Sequence, residues 1–311
     1  MPLGPYLTLV AWVAGPVTLG MLLRRIGVPR TVSRRLFNWA LYFFQTCISF
    51  LAVWVARLDG EAMLLPAIAL VGWLLAAGST WLADRAFDHT PAQRGAFLMT
   101  GCMSNHGYTL LGIVAMMLFG EAGLAQATYA QLFFVPFMVL FCCPVARSLG
   151  DGAGADPPHL WRRMLLDGRN LPLVAMVLGI GLNLGGVPRP DLAAPFLKLL
   201  VYSGTVVSGV AVGLQLRRSQ RSYLGENIWS LVLRSTLYPG YYLLMAWALG
   251  LDAIDTRILI LYGLVPSALF SNLVADLFGL DTDLTNAVFV GGTAIFLVVV
   301  LPLYAWLALA Y

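Results

Sequence analysis

The chain has 311 residues, of which 59% are hydrophobic and 11% are charged, and its mean hydropathy is +0.81. A soluble domain of this size is nearer half apolar and a quarter charged, so the composition excludes an ordinary soluble protein. The net charge of +4 is small, and the arginines fall between apolar segments, so nucleic acid is not an expected partner. The surplus apolar surface must face lipid, which predicts an integral membrane protein surrounded by the bilayer.

Ten apolar segments are long enough to cross a bilayer core, which takes about 20 helical residues. Helices are required because lipid offers the backbone no hydrogen-bond partner, so we predict an all-α, polytopic fold. We expect the first segment to be retained rather than cleaved as a signal peptide, since no basic region precedes it. In chain order, the predicted spans are 5–23, 36–56, 63–83, 95–118, 122–146, 171–186, 193–216, 227–249, 257–279 and 284–309.

The basic residues predict the orientation of these spans. The loops after spans 1, 3, 5 and 7 carry 14 of the 19 lysines and arginines, and the opposite side of the membrane, including the nearby span ends, holds four. Positively charged loops stay in the cytoplasm, so both termini are expected to lie outside.

An enzyme is not expected, because the chain has no zinc motif, phosphate-binding loop or nucleophile elbow. Its four cysteines lack metal-ligand spacing, and its three histidines are scattered along the chain. We therefore predict no cofactor and leave only a bound sodium ion open. The cysteines are Cys47, Cys102, Cys142 and Cys143, and the histidines are His89, His106 and His159.

An internal repeat links the two halves of the chain. Residues 19–30 and 178–189 share the pattern Leu-Gly-x-x-Leu-x-x-x-Gly-Val-Pro-Arg at an offset of 159 residues. At the same offset, the Leu-Phe-Gly of residues 118–120 recurs at residues 277–279. Two separate matches at one offset indicate a duplication.

The two copies have opposite orientations if each contains five spans, because five is an odd number. We therefore predict two inverted five-helix repeats, residues 1–148 and 171–311, joined by a cytoplasmic linker at 149–170. Inverted repeats are typical of secondary transporters, which hold substrate near the middle of the membrane at interrupted helices.

Spans 4 and 9 occupy matching places in the two halves, and each contains helix-breaking residues. Glycine loosens span 4, and proline removes a backbone hydrogen bond in span 9. Breaks at matched depth free polar backbone groups that must line a cavity or be satisfied by protein, and ordinary kinking is the alternative. The candidate substrate-binding residues at these breaks are Asn105, His106, Gly107, Tyr108, Pro266, Ser267, Ser271 and Asn272.

Arg234 is the most deeply placed charge, about eight residues into span 8. Charges inside spans are rare and often functional, so we add Arg234 to the candidate site as a positive charge for a carboxylate or for the interface with a scaffold part of the protein. The alternative is that its side chain extends to the cytoplasmic headgroups.

These segments resemble the auxin efflux carrier family of permeases, within the bile-acid/arsenite/riboflavin transporter superfamily. The likeness covers nearly the whole chain and is most specific over residues 263–303, and residues 20–27 resemble the family opening. In span 4, Asn105, Gly107 and Tyr108 resemble the start of the family motif Asn-Thr-Gly-Phe-x-Gly-x-Pro. The chain departs from that motif at its end, where Val114 replaces the proline.

The resemblance implies ten helices divided into a scaffold part and a transport part, with spans 4 and 9 crossing. It also implies small organic anions as substrates, auxin-like acids in plants and dicarboxylates such as malate or malonate in bacteria. The short linker looks like that of bacterial members, which implies the bacterial inner membrane.

We therefore expect a secondary transporter that moves a small organic anion by alternating access. One alternative is a sodium-coupled, bile-acid-like symporter of organic solutes. Another is a sensor that uses a transport fold without net transport. The sequence is compatible with a homodimer and does not specify one.

Overall fold

The computed structural model describes residues 3–150, 170–216 and 223–310. Within these ranges the chain is helical apart from turns, short loops and one isolated β-bridge, so the predicted all-α fold is confirmed. The predicted linker at 149–170 lies almost wholly outside the described residues.

The first half contains eight α-helices, several of them continued by π-helical turns at Ala40–Gln45, Tyr108–Gly112 and Met138–Cys142. Proline in the first turn starts α4 and α5, and Thr90 and Gln93 form a capping box at the start of α5. The helices are α1 (Leu3–Arg25), α2 (Arg30–Trp39), α3 (Thr46–Val53), α4 (Leu65–Asp84), α5 (Pro91–Cys102), α6 (Ile113–Tyr129), α7 (Phe134–Phe137) and α8 (Cys143–Leu149).

The second half contains eight more helices among the described residues. Asp252 and Asp281 cap the helices that follow them by accepting a backbone N–H bond. The helices are α9 (Leu171–Leu184), α10 (Ala193–Gln215), α11 (Leu224–Ser235), α12 (Leu237–Leu249), α13 (Ala253–Leu264), α14 (Leu269–Phe278), α15 (Thr282–Ile295) and α16 (Leu301–Ala310).

Among the described residues, six helical segments are long and apolar enough to cross a membrane: Leu7–Arg25, Thr31–Val53, Gly60–Asp84, Tyr108–Leu149, Ala193–Gln215 and Thr282–Ala308. The remaining predicted spans fall on helices of 14 residues or fewer. Breaks divide the spans at α5, at α11 and α12, and at α13 and α14, whereas α9 is a single short helix. The chain is thus an integral membrane protein, and ten spans stay a prediction.

The helices pack into two bundles. In the first bundle, α1 and α2 pack on α10, and α9 packs on α3. In the second, α4 packs on α5, α12 packs on α13, and α15 packs on both α5 and α11. The bundles meet where α6 and the Tyr108–Gly112 turn lie against α3 and α10.

A buried charge cluster fixes α11 in the second bundle. The His89 ring lies between two carboxylates, with Nδ1 2.7 Å from an Asp84 oxygen and Nε2 3.1 Å from a Glu226 oxygen. The Nε–H of Arg94 donates to the second Asp84 oxygen at 2.6 Å. The cluster therefore ties α4 and α5 to the first turn of α11.

The repeated glycines of the sequence have matching structural roles. Gly20 on α1 lies against the α10 backbone at Val210, and Gly179 on α9 lies against the α3 backbone at Phe50. A Cβ atom at Gly179 would lie only 2.6 Å from the carbonyl oxygen of Phe50. The same repeat position therefore makes the close helix contact in both halves.

The Gly-Val-Pro-Arg segments also form the same turn. Gly27 and Gly186 have φ angles of 92° and 65°, a region that favours glycine. The next residue, Val28 or Val187, donates its N–H to the carbonyl of Leu23 or Leu182, five residues earlier, at 3.1 and 3.0 Å. Both are Schellman caps, which explains why the sequence repeats glycine here.

Alanine substitution on α9 tests the close contact. We expect Gly179→Ala to lower the free energy of unfolding by about 1–3 kcal/mol, because its methyl group would meet the Phe50 carbonyl. Thermal unfolding of the purified protein measures the change.

Gly181→Ala is the matched control, two residues along the same helix with open space around it. Alanine favours helix over glycine by about 1 kcal/mol, so this variant should be as stable as the parent or more stable. Equal losses from both substitutions would contradict the assigned contact.

Candidate functional site

The two interrupted helices cross in the second bundle. α5 ends at Cys102 and α13 ends at Leu264, and the extended segments that follow run antiparallel, with Ser104 opposite Ser267. The N–H of Asn105 donates to the Pro266 carbonyl, and the N–H of Ala268 donates to the Met103 carbonyl, each at 2.8 Å. Each break therefore satisfies backbone groups that the other one frees.

The antiparallel pair of Ser104 and Ser267, which are 163 residues apart, sets the register of this crossing. The separation falls by two residues at each step toward Gly107, so the crossing is centred close to the 159-residue offset of the repeated motifs. Asn105 rather than Gly107 lies opposite Pro266, to whose carbonyl its N–H donates. Proline still explains the second break, since Val265 before it is extended at φ −63° and ψ 141°.

His106 has both ring nitrogens engaged. The Trp73 Nε1–H donates to Nδ1 at 3.3 Å, and Nε2 lies 3.1 Å from the Tyr262 carbonyl oxygen, to which it donates. The ring also stacks on Tyr262 at a centroid distance of 3.9 Å and is buried. This arrangement joins α4 to α13 across the break and leaves the ring no free nitrogen for a ligand.

Tyr108 anchors the half-helix after the break to the first bundle. Its buried hydroxyl lies 2.7 Å from the Ser208 hydroxyl on α10 and donates to the Ala40 carbonyl at 3.3 Å. Its ring packs against Gly204, where a Cβ atom would be 2.9 Å from the ring. Tyr108 is thus a contact between the bundles.

The candidates from the second break point into the protein. Ser267 and Ser271 are buried, their hydroxyls are 3.3 Å apart, and Ser271 donates to the Ala268 carbonyl at 2.7 Å. Pro266 packs close to Gly292. The side-chain oxygen of half-buried Asn272 has no hydrogen-bond partner among the described residues.

Asn105, Gly107 and Thr109 form a partly open group at the first break. The Thr109 hydroxyl donates to the Asn105 side-chain oxygen at 2.9 Å, which fixes the amide. Within the described residues that nitrogen has no hydrogen-bond partner. All three residues are half-buried rather than buried.

Gln45 faces this group from the first bundle. A Cβ atom on Gly107 would lie 3.6 Å from the Gln45 side-chain oxygen, and the Gln45 amide donates to Ser49 at 3.1 Å. Gln45 ends the π-helical turn Ala40–Gln45, and such turns are frequent at functional sites. Gln45 is not among the residues predicted from the sequence, although a lone glutamine within an apolar span is a usable signal.

The electrostatics of this group favour an electron-rich ligand. In the first turn of the half-helix after Gly107, the N–H groups of Leu110 and Leu111 donate to the carbonyls of Gly107 and Asn105, and those of Tyr108 and Thr109 have no acceptor among the described residues. The start of this half-helix carries partial positive charge. The free amide nitrogen of Asn105 adds a donor. The arrangement can bind a carboxylate or another acceptor.

Arg234 is buried at the crossing and does not extend to the headgroups. Its Nη1 donates to the Ser104 hydroxyl at 2.5 Å and to the Val265 carbonyl at 2.8 Å. Its Nη2 donates to the Thr100 carbonyl at 2.6 Å and lies 3.4 Å from that of Gly101. The guanidinium therefore caps both α5 and α13.

Ion pairs join the bundles at one end of the molecule. Arg189, between α9 and α10, pairs with Glu121 on α6. Arg57, after α3, pairs with Asp252 and with Asp255 at 2.5 Å at the start of α13. Burial, followed by the nearby Asp252 charge, raises the pKa of Asp255, although Arg57 opposes this shift.

A cavity of about 470 Å³ lies beside these ion pairs, between α6 and α10. Glu121, Lys198 and Tyr202 are among its lining residues, and it opens to the surface between the two bundles.

Comparisons with known proteins match the chain to membrane transport proteins. Residues 160–305 match a family described as membrane transport protein. An uncharacterized transporter of Methanocaldococcus jannaschii is 24% identical over 235 residues, which cover 73% of each chain. An uncharacterized transporter of Methanothermobacter thermautotrophicus is 24% identical over 297 residues, which cover 93% of this chain and 94% of that protein. The chain is thus similar to membrane transport proteins over nearly its whole length.

Proposed function

We propose that this transporter is a secondary carrier that moves a small organic anion across the membrane by alternating access. One observation carries the choice of an anion: the partly open group at the first break offers hydrogen-bond donors. The amide nitrogen of Asn105 is free, and the half-helix after Gly107 begins with the N–H groups of Tyr108 and Thr109, which have no acceptor among the described residues.

The side chains of this group also suit a carboxylate. Gln45, Asn105 and Thr109 are neutral, so a carboxylate there would meet no like charge. A carboxylate in a poorly hydrated site needs several donors, since an unpaired buried charge is costly. A helix N-terminus and side-chain amides are donors of the required kind.

We further propose the ten-helix, inverted-repeat arrangement with both termini outside. The matched Schellman caps and the matched close contacts of Gly20 and Gly179 support an inverted duplication. They occur at the same repeat positions but pair α1 with α10 and α9 with α3, as expected when the two halves exchange partners.

The moving part in this proposal is the second bundle, which carries the crossing. Its contacts with the first bundle include the Tyr108 hydroxyl and the Arg189–Glu121 ion pair, and both can break without unfolding a helix. Alternate exposure of the Asn105 group to the two sides would follow from movement of one bundle against the other. The membrane potential contributes about 2.3 kcal/mol per charge per 100 mV, enough to drive an anion outward.

A sodium-coupled symporter is the second candidate, because carbonyl groups at broken helices can bind sodium in transporters. In this chain Arg234 already donates to the carbonyls of Thr100 and Val265 at the crossing. That contact favours an anion carrier without sodium over the symporter.

The first test is thermal stabilisation of the purified protein by a panel of small mono- and dicarboxylic acids. An acid at 100 times its dissociation constant should add about 2.7 kcal/mol of stability. Asn105→Asp should abolish this shift, because it keeps the oxygen that Thr109 bonds but replaces the free donor with a negative charge. The unfolding temperature with and without each acid is the measurement.

Asn38→Asp is the matched control, since it makes the same chemical change on an exposed position of α2. It should leave the acid-dependent shift intact. A shift that survives Asn105→Asp would move the binding site elsewhere, and the absence of a shift with any acid would overturn the choice of an anion.

Cross-linking tests the proposed movement. In a background without native cysteines, Glu121→Cys with Arg189→Cys should be joined by a short thiol-reactive linker, because the parent side chains are in contact. Uptake into proteoliposomes of the acid found above should stop on cross-linking and return on reduction.

The control pair is Trp54→Cys with Val187→Cys, which lies within the first bundle, where the indole N–H of Trp54 donates to the Val187 carbonyl at 2.9 Å. Linking this pair should not stop uptake. Full activity with the bundles linked through Glu121→Cys and Arg189→Cys would refute the movement.

A further inference from the structure

Arg234 holds a buried positive charge without a carboxylate partner among the described residues. The residue is 5% exposed, and its two Nη groups face four oxygens. These are the carbonyl oxygens of Thr100, Gly101 and Val265 and the hydroxyl oxygen of Ser104. A full charge in such a place must be balanced by dipoles.

Two helix ends supply those dipoles. α5 and α13 both end at the crossing, and the C-terminal end of a helix carries about half a negative charge. Thr100 and Gly101 lie in the last turn of α5, and Val265 follows the last residue of α13. The guanidinium thus lies between two negative helix ends that point at each other.

The same oxygens form the ligand set that a small alkali cation uses. Hard cations prefer oxygen donors, and half-helix carbonyls bind sodium in transporters whose helices break within the membrane. Two helix C-termini without a cation would leave their carbonyls and partial charges uncompensated.

We propose that Arg234 is a tethered substitute for a dissolved cation at the crossing, so that the broken helices assemble without bound sodium. The consequence for transport, a carrier that works without sodium, rests on the proposed function. The placement of the guanidinium where a cation would otherwise bind does not rest on it. Arg234 is a positioning residue in this proposal: it holds the two breaks together, and the Asn105 group next to Ser104 depends on it.

The proposal predicts a latent cation site. Arg234→Ala removes the guanidinium and leaves the carbonyl oxygens of Thr100, Gly101 and Val265 with the Ser104 hydroxyl around the vacated volume. Sodium should then bind there and restore part of the lost stability. Arg234→Lys keeps a positive charge and should remain indifferent to sodium.

The experiment is thermal unfolding of purified wild type and variants in sodium chloride and in choline chloride at equal ionic strength. We expect no difference between the salts for the wild type. For Arg234→Ala we expect a lower unfolding temperature in choline and a saturable rise of about 5 °C in sodium.

Arg189→Ala is the matched control, because it also removes a largely buried arginine but one that pairs with a carboxylate, Glu121. It should lose stability equally in both salts. An Arg234→Ala protein that folds but gains nothing from sodium beyond the change seen in Arg189→Ala would overturn the proposal.

The wild-type protein gives a second test that does not depend on folding of the variant. A saturable stabilisation of the wild type in sodium chloride relative to choline chloride would show that a dissolved cation binds although Arg234 is present. That result would overturn the proposal. No organic anion is used in these measurements, so failure to find a carboxylate ligand would count against the proposed function and leave this inference standing.

Discussion

Backbone polar groups inside a bilayer must find partners within the protein, and this constraint governs the structure around the crossing. A continuous helix satisfies it alone, but the breaks after Cys102 and Leu264 do not. The chain solves the problem with two backbone hydrogen bonds between the breaks and with one arginine that donates to both helix ends. The breaks are therefore stable only together.

This mutual dependence sorts the polar residues near the crossing into two groups. His106, Ser267, Ser271 and Arg234 are buried and bonded to other protein groups, so they hold the crossing in shape. Asn105 differs because Thr109 takes its oxygen and leaves its nitrogen free. A ligand site in this chain is thus a small open part of a larger polar network whose other members bond chiefly to protein groups.

The contact between the bundles has a different character. It is built from the turn at Tyr108–Gly112, from helix contacts and from ion pairs at one end, whereas the helix pairs within the first bundle touch through glycines, backbone to backbone. Close backbone contacts resist movement because every atom is constrained, and side-chain contacts can be exchanged at lower cost. Movement of one bundle against the other would require exchangeable contacts between the bundles and rigid contacts within them.

The sequence by itself determined the membrane class, the helical fold and the places where two helices break, because these depend on local composition and on the covalent limits of proline and glycine. It also located Gly20, Gly27, Gly179 and Gly186, since a duplication keeps glycine where a side chain would clash or a turn needs positive φ. Only the tertiary structure decided that the crossing pairs Ser104 with Ser267 and that Gln45 faces Gly107. It alone also decided that Arg234 meets carbonyls rather than lipid headgroups. Those relations join residues far apart in the chain, and they depend on how helices pack in space, which no local pattern specifies.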